Sequence, residues 1–304
     1  MTLTRRQTLA TIAGLPLVAA GAGAARAAAE IKGTTIAPYT RVKLGEFDVT
    51  TLLAGTRGVP DPHTIFGLNV DDAAFAEASE AARIPTDMAQ FFFTPTVVNT
   101  GSELVLFDTG LSAEGTLAAL TAAGYAADQI DTVVITHMHG DHIGGLMNGD
   151  APTYPNARYV TGQTEFDHWS QAENEGFETN VRPLAEQMNF LEDGGEVTGG
   201  VTAKAAFGHT PGHMAYVLSS GDKSLLIGAD FANHYVWSLA HPDWEVKFDM
   251  DKEAAAQTRR ALLDMIAAER MPFIGYHMPF PAIGYVETAD DGYAYAPHSY
   301  QLLL

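Results

Sequence analysis

Cysteine is absent from all 304 residues of the chain. That excludes disulfides and removes the thiolate from any metal site. Positive charge is scarce as well: 17 lysines and arginines stand against 37 acidic residues, a formal net charge of −20. Nucleic-acid binders displace counterions with a positive footprint, so this balance argues against nucleic acid and equally against an anionic membrane surface. Neutral or cationic ligands, and metal cations, fit better. There is no glycine-rich phosphate loop and no serine elbow, so nucleotide and serine-hydrolase readings have no support. Internal repeats and low-complexity segments are also missing. What remains, 46% apolar and 18% charged residues, describes a globular chain long enough for one large domain or two small ones.

Long hydrophobic runs are lacking too. The N-terminal run from Leu9 to Ala24 is rich in Ala and Gly, and is short and weak for a span of about 20 residues. It follows Arg5 and Arg6 and leads to small residues around Arg26, which is the layout of a secretory signal. The paired arginines followed by Gln7, Thr8 and Leu9 suggest the twin-arginine route. Residues 1–27 are therefore expected to be a twin-arginine-type signal and 28–304 the folded domain. The protein would be exported folded, to the periplasm or beyond, with no membrane attachment after cleavage and a mature charge of about −23.

Along the domain, "RVKLGEFDVTTLLAG" alternates like a strand, "GTRGVPDPHTIFGLNV" reads as a Gly/Pro-punctuated loop, and "DDAAFAEASEAARI" opens with an acidic N-cap and reads as a helix. "MAQFFFTPTVVNTGSELVLFDTG" reads as strands joined at the turn "NTGS", "AEGTLAALTAAGY" as a helix, and "DTVVIT" as a buried strand. Helices are expected around "QTEFDHWSQ" and "NVRPLAEQMNFL", then strands "VTAKAAF", "MAYVLSS" and "KSLLIGA". The helix "DKEAAAQTRRALLDMIAAER" and the strand "MPFIGY" follow. Mixed elements over the whole chain imply a layered α/β fold with sheets in the middle.

The chemistry concentrates in "DTVVITHMHGDHIGGL", where His137, His139, Asp141 and His142 fall within six residues. On a helix, residues two apart point to different sides, and a strand would throw His142 away from the other three. A loop leaving "DTVVIT" and turning into a helix near "IGGL" lets all four converge. Three more candidates lie just past the carboxyl ends of apolar runs, the edge where open α/β sheets place ligands: His209 after "VTAKAAF", Asp230 after "KSLLIGA" and His277 after "MPFIGY". Imidazoles and carboxylates without thiolates suit Zn²⁺, Mn²⁺ or Fe²⁺. Seven donors exceed what one tetrahedral ion takes and suit two ions sharing a bridge.

"THMHGDH", "GHTPGH", "GAD" and the "YH" at 276–277 resemble the metallo-β-lactamase superfamily of dinuclear hydrolases, and within it the exported methyl parathion hydrolase-like branch neighbouring the acyl-homoserine lactonases. The match runs from about residue 40 to 290. It implies a four-layer αββα sandwich, one metal site of His137, His139 and His209, a second of Asp141, His142 and His277, and Asp230 as the bridge. It implies two divalent ions, zinc first, with Mn, Fe or Co as alternatives. The family pattern places the ligand at the first histidine of "GHTPGH", leaving His213 beside the ligands, and Asp108 resembles the family's aspartate beneath the metal loop. Trp169 and Phe177 could wall an apolar pocket, as the corresponding segments do in that branch. His234 is a candidate for the same sheet edge, and His63 and Phe66 lie in the Gly/Pro loop, a candidate lid.

Two ions about 3.5–4 Å apart can hold a hydroxide between them, a nucleophile at neutral pH that needs no serine or cysteine. Asp141 and Asp230 are the expected catalytic carboxylates, with Asp141 a candidate to take the released proton. The expected reaction is hydrolysis of a small neutral ester-like substrate: a lactone, aryl ester or phosphotriester. Two features blunt the transfer of substrate: "LSAEGTLAAL" has no aromatic where phosphotriesterase members tend to place one, and no tyrosine is assignable to the lactonases' assisting role. A β-lactam hydrolase of the same fold and a non-catalytic metal-containing binding protein stand as alternatives. A homodimer is left open.

Overall fold

The computed structural model describes residues 35–289 and 292–299. The expected export signal at 1–27 lies outside the described residues. Two seven-stranded sheets form the centre. In spatial order the first contains Tyr39–Leu44, Phe47–Leu52, Thr96–Asn99, Leu104–Phe107, Thr132–Ile135, Arg158–Gly162 and Met188–Leu191. Its first four strands pair antiparallel and its last four parallel, so it is a meander joined to crossover units. The second runs Glu196–Thr198, Val201–Ala205, Met214–Ser220, Lys223–Ala229, Phe273–Gly275, Ile283–Ala289 and Gly292–Pro297. It is antiparallel except where Lys223–Ala229 meets Phe273–Gly275.

The layers follow from side-chain parity. In "LVLF", Val105 and Phe107 face the second sheet, where they join Val201, Tyr216 and Leu226 in one core. Leu104 and Leu106 face outward, onto Leu120 of the helix Ala113–Ala122. "TVVI" divides the same way, Val134 inward and Val133 and Ile135 outward. Strands covered on both faces read as unbroken apolar runs. The helix Lys252–Ala268 packs its Leu262, Leu263 and Ile266 against the second sheet. Helix, sheet, sheet, helix is the four-layer αββα sandwich expected. None of the helices among the described residues is long and apolar enough to cross a membrane.

Local signals hold where a cap or turn is explicit. Asp71 accepts from the Ala74 amide at 2.9 Å to start the helix Asp72–Ala81, and Asp251 from the Ala254 amide at 3.0 Å to start Lys252–Ala268. Two expectations change. "NVRPLAEQMNFL" is not one helix: a 3₁₀ segment Arg182–Gln187, with Pro183 in its first turn, gives way to the edge strand Met188–Leu191, which pairs parallel with Arg158–Gly162. The Gly/Pro loop is ordered at its start, where Gly55–Pro60 pairs antiparallel with Met88–Phe93. Phe66 is fully buried beneath Trp237, and the backbone is pinned where the Lys247 amide donates to the Ile65 carbonyl at 2.7 Å. His63 stacks on Phe75 and bonds the Asp72 carboxylate through Nδ1 at 2.9 Å and the Gly67 carbonyl through Nε2 at 3.1 Å, both oxygens accepting. This segment packs with Phe75, Phe91 and Trp237 in an aromatic cluster of its own.

Candidate metal centre

The loop after Thr132–Ile135 carries His137 and His139, and its one-turn helix Gly140–Ile143 carries Asp141 and His142. The turn closes against the 109–112 segment because Gly144 and Gly145 have no side chain: a Cβ on Gly145 would sit 2.1 Å from the Thr109 carbonyl oxygen. His209 lies between Val201–Ala205 and Met214–Ser220, Asp230 just beyond Lys223–Ala229, and His277 just beyond Phe273–Gly275. One sheet therefore supplies four donors and the other three.

Their donor atoms converge in three groups able to hold a metal ion: His137, His139 and His209; His137, His142 and Asp230; and Asp141, His142 and His277, the atoms of each group within 4.8 Å of one another. Asp230 straddles them. Its Oδ1 lies 3.4 Å from His142 Nε2, while its Oδ2 lies 3.4 Å from His209 Nε2 and 3.1 Å from His277 Nε2. Asp141 Oδ2 is 3.3 Å from His277 Nε2.

The outward side of each ring fixes what its inner nitrogen can be. His142 Nδ1 donates to Asp108 at 2.8 Å, His209 Nδ1 to Asp249 at 2.9 Å and His277 Nδ1 to the Phe92 carbonyl at 2.8 Å. Thr136 gives its hydroxyl proton to Asp108, so its oxygen accepts from His137 Nδ1 at 3.1 Å. A neutral imidazole has one N–H, so all four rings present bare lone pairs inward. His142 Nε2 and Asp230 Oδ1 are buried with no hydrogen-bond partner. Lone pairs and carboxylate oxygens packed a few ångströms apart repel unless a cation lies among them. The donor set fits two divalent ions, and the outward acceptors are the second layer of support such ligands ordinarily have.

Proton affinities report the same demand for positive charge. Burial pulls His142 and His277 down, but nearby carboxylates outweigh it: Asp230, Asp108 and Asp141 hold His142 well above its ordinary value, and Asp230 and Asp141 push His277 up to about 10. Burial raises Asp141, yet His142 and His277 bring it to about 2. Burial, joined by neighbouring imidazoles, lowers His139 to about 3 and keeps His137 well below its usual range. Without metal, protons on His142 and His277 would stand in for it.

The remaining candidates separate cleanly. Asp108, at φ 58, holds His142 and accepts from the Thr136 amide and hydroxyl at 2.8 Å each. His213 Nε2 accepts from the Asp230 amide at 3.1 Å, fixing the bridging residue's backbone. Trp169 does not wall the cavity: it is buried, packs edge-on against His139 at 6.0 Å, and so supports a ligand from behind. Phe177 neither lines the cavity nor touches a ligand. It is fully buried in the outer helical core, against Phe166 and under Arg182, because its helix docks on the outer face of the first sheet. His234 also falls outside the three donor groups. Its Nδ1 accepts from the Val236 and Trp237 amides, and its ring stacks on Trp237 at 4.1 Å.

The cavity over the donors has a volume of about 510 Å³. Its apolar walls are Val59, Ile65, Phe91, Phe93, Leu111 and Phe248, and its floor is His139, Asp141, Asp230 and His277. Arg57 is its one lysine or arginine among the described lining residues. Asp249 and Arg259 give no sequence signal. Asp249 follows an irregular stretch, and Arg259 is an ordinary helix residue until the fold buries it, where Nη2 donates to Asp249 at 2.6 Å. Tyr276 donates its hydroxyl to the Asp141 carbonyl at 2.6 Å and stacks on His142, so it is committed to holding the loop.

The model of the metallo-beta-lactamase superfamily matches residues 94–277. Over 139 residues the chain is 30% identical to a protein described as probable metallo-hydrolase YybB of Bacillus subtilis (strain 168), covering 43% of this chain and 58% of that one. Among solved structures, AidC, described as a dizinc quorum-quenching lactonase, superposes with a TM-score of 0.80 at 23% identity, covering 86% of this chain and 98% of that one. The hydrolase AbOPH superposes with a TM-score of 0.81 at 24% identity, covering 88% and 99%. At those identities the two structures establish the fold.

Proposed function

This chain belongs to the metallo-β-lactamase superfamily, and from that premise we propose that it is a dinuclear metal-dependent hydrolase of small, neutral, ester-like substrates. Lactones, aryl esters and phosphotriesters are the classes in view. The observation that carries the reading is the junction of two unlike surfaces in one cavity: six apolar side chains rise directly from a floor of His139, Asp141, Asp230 and His277. Such a cavity binds an acyl or aryl body by exclusion of water and presents its polar end to the floor. Two ions held by the seven donors, zinc first among them, would supply Lewis acidity and lower the pKa of a water to about 7.

The chain's own residues orient and accept. Asp230 is fully enclosed, and its place between the two groups suits it to a fixed bridge. Asp141 is the carboxylate with solvent access, its side chain 23% exposed, and we assign it the proton released in the reaction. The walls keep water from the substrate's body while leaving the floor open. The lactonase and hydrolase likenesses support this substrate class. A β-lactam is less well served, since the cavity holds no lysine to meet its carboxylate, although Arg57 stands at the wall.

The test is hydrolysis by zinc-loaded protein of matched panels of acyl lactones, aryl esters, dialkyl aryl phosphotriesters and β-lactams, with and without chelator. Chelator-sensitive turnover, strongest on one ester-like class, is the expected result. Substrates recovered intact with two ions bound would replace catalysis with a binding role. Export as a folded protein to the periplasm or beyond belongs to the same proposal, on the strength of Arg5, Arg6, the apolar run from Leu9 to Ala24 and the small residues around Arg26. Retention of an Arg5→Lys, Arg6→Lys chain inside the cell is the outcome expected of a twin-arginine signal.

A further inference from the structure

We propose that Glu165 is a positioning residue that locks the two metal-binding loops together and thereby sets the affinity of the three-histidine group, His137, His139 and His209. Glu165 is the third residue of the helix Gln163–Gln171 and is completely buried. Among the described residues no lysine or arginine pairs with its carboxylate. Instead it accepts four hydrogen bonds: Oε1 from the Met138 amide at 2.8 Å and the Trp169 indole at 2.7 Å, Oε2 from the Thr210 hydroxyl at 2.7 Å and the Gly212 amide at 2.9 Å.

The partners' positions give these bonds their meaning. Met138 lies between His137 and His139, on the loop from the first sheet. Thr210 follows His209, on the loop from the second. One side chain therefore clamps the backbones that aim all three imidazoles, and the indole it holds packs against the ring of His139. The approach is built in: a Cβ on Gly212 would lie 2.1 Å from the Glu165 amide nitrogen, so only glycine lets the second loop come this close. Burial alone pushes the Glu165 carboxyl up, and the four donors pull against it. A buried carboxylate without a counter-cation is costly to keep, and filling this volume needs no charge. Asp141, His142 and His277 receive none of these bonds; their supports are Asp108 and the Phe92 carbonyl. Losing Glu165 should therefore damage one metal group and spare the other.

The experiment is a cobalt(II) titration of the full chain, read by visible absorption and by competition with a chelator. His139→Ala and His277→Ala, each removing one group's ligand, supply the reference spectra. In Glu165→Gln the amide can accept on one oxygen only and turns its NH₂ toward two donors. We expect one equivalent of cobalt to weaken by about 10–100-fold while the other keeps its affinity, and the first equivalent bound to give the spectrum of His139→Ala. Equal weakening of both equivalents, or of neither, overturns the proposal. Should Glu165→Gln fail to fold, Thr210→Val removes one of the four bonds: a smaller loss at the same equivalent is expected, and unchanged affinity overturns the proposal. Because the readout is metal affinity, the outcome is independent of whether the protein is a hydrolase.

Discussion

Asp249→Asn separates what a buried charge does for the fold from what it does for the metal. Asp249 and Arg259 are each 1% exposed in their side chains, joined by the 2.6 Å contact from Arg259 Nη2, and the other carboxylate oxygen takes the proton of His209 Nδ1. Asparagine keeps the shape but faces two donors with one oxygen and one NH₂. Arg259 would still donate to the Phe231 and Pro242 carbonyls at 2.9 and 2.7 Å, so the loss is chiefly of its counter-charge. Breaking one side of a buried ion pair costs about 3–5 kcal/mol. In a domain of this size that lowers the melting temperature by roughly 6–20 °C, at 2–4 °C per kcal/mol. Removing the acceptor that orients His209 should cost a further 10–100-fold in zinc affinity, about 1.4–2.7 kcal/mol. The two losses come apart in the double variant Asp249→Leu, Arg259→Met. An apolar pair of similar volume should recover most of the stability and none of the zinc affinity. Thermal unfolding of metal-free protein and chelator competition read the two quantities. A single Asn variant within about 1 kcal/mol of the parent, binding zinc equally well, would refute the reasoning on both counts.

Other outcomes follow from the same geometry. Metal-free protein should lose stability as the pH rises from about 6.5 toward 10. Asp230 and Asp141 hold His277 at about 10 against the opposing pull of burial, so the stabilisation is complete below the unfolded value and vanishes as the folded one is passed. Zinc-loaded protein has no proton there to lose, and parallel melting curves for the two forms between pH 6 and 10.5 would contradict the assignment. Phe248→Ala, at a half-open cavity wall, should raise KM with little change in melting temperature. Phe177→Ala should do the reverse, costing about 3–5 kcal/mol with KM unchanged in whatever protein folds. Gly145→Ala forces a methyl onto the Thr109 carbonyl and should release zinc at lower chelator concentration than the parent, measured by a colorimetric zinc indicator.

The donor residues were legible in the sequence because each follows an apolar run, and strand ends are where a sandwich gathers polar groups. Spacing alone shows that His137, His139, Asp141 and His142 need a loop. Their outer supports were mostly hidden. Asp249 and Glu165 meet the ligand loops through contacts 40 and 27 residues apart in sequence, and Arg259 acts only through Asp249, so no local pattern marks them. The placement of the aromatics is hidden for a related reason. Trp169 and Phe177 lie on two helices whose buried sides face the first sheet, while the walls of the cavity come from the hairpin strands Gly55–Pro60 and Met88–Phe93 and from Ile65, Leu111 and Phe248. A glycine- and proline-rich stretch reads as loop even when its backbone pairs as a strand.

The division of donors between the sheets gives the metals a second consequence. His137, His139, Asp141 and His142 leave the first sheet, and His209, Asp230 and His277 leave the second, so ions bound at this edge would tie the two halves of the sandwich. Lower down, the inter-sheet core is a continuous apolar contact that needs no such tie. At the edge, the hydrogen bonds that link the halves among the described residues include the Met214 amide donating to the Thr136 carbonyl at 3.0 Å, the Tyr276 hydroxyl on the Asp141 carbonyl, and the two bonds Glu165 accepts from Thr210 and Gly212. Removing metal should therefore loosen the edge before the core. Hydrogen exchange should show this as faster exchange at Met138, Gly212 and Asp230 amides in chelated protein, with Val134 and Leu226 protected in both forms. Uniform loss of protection on chelation would mean instead that the metals hold the whole sandwich together.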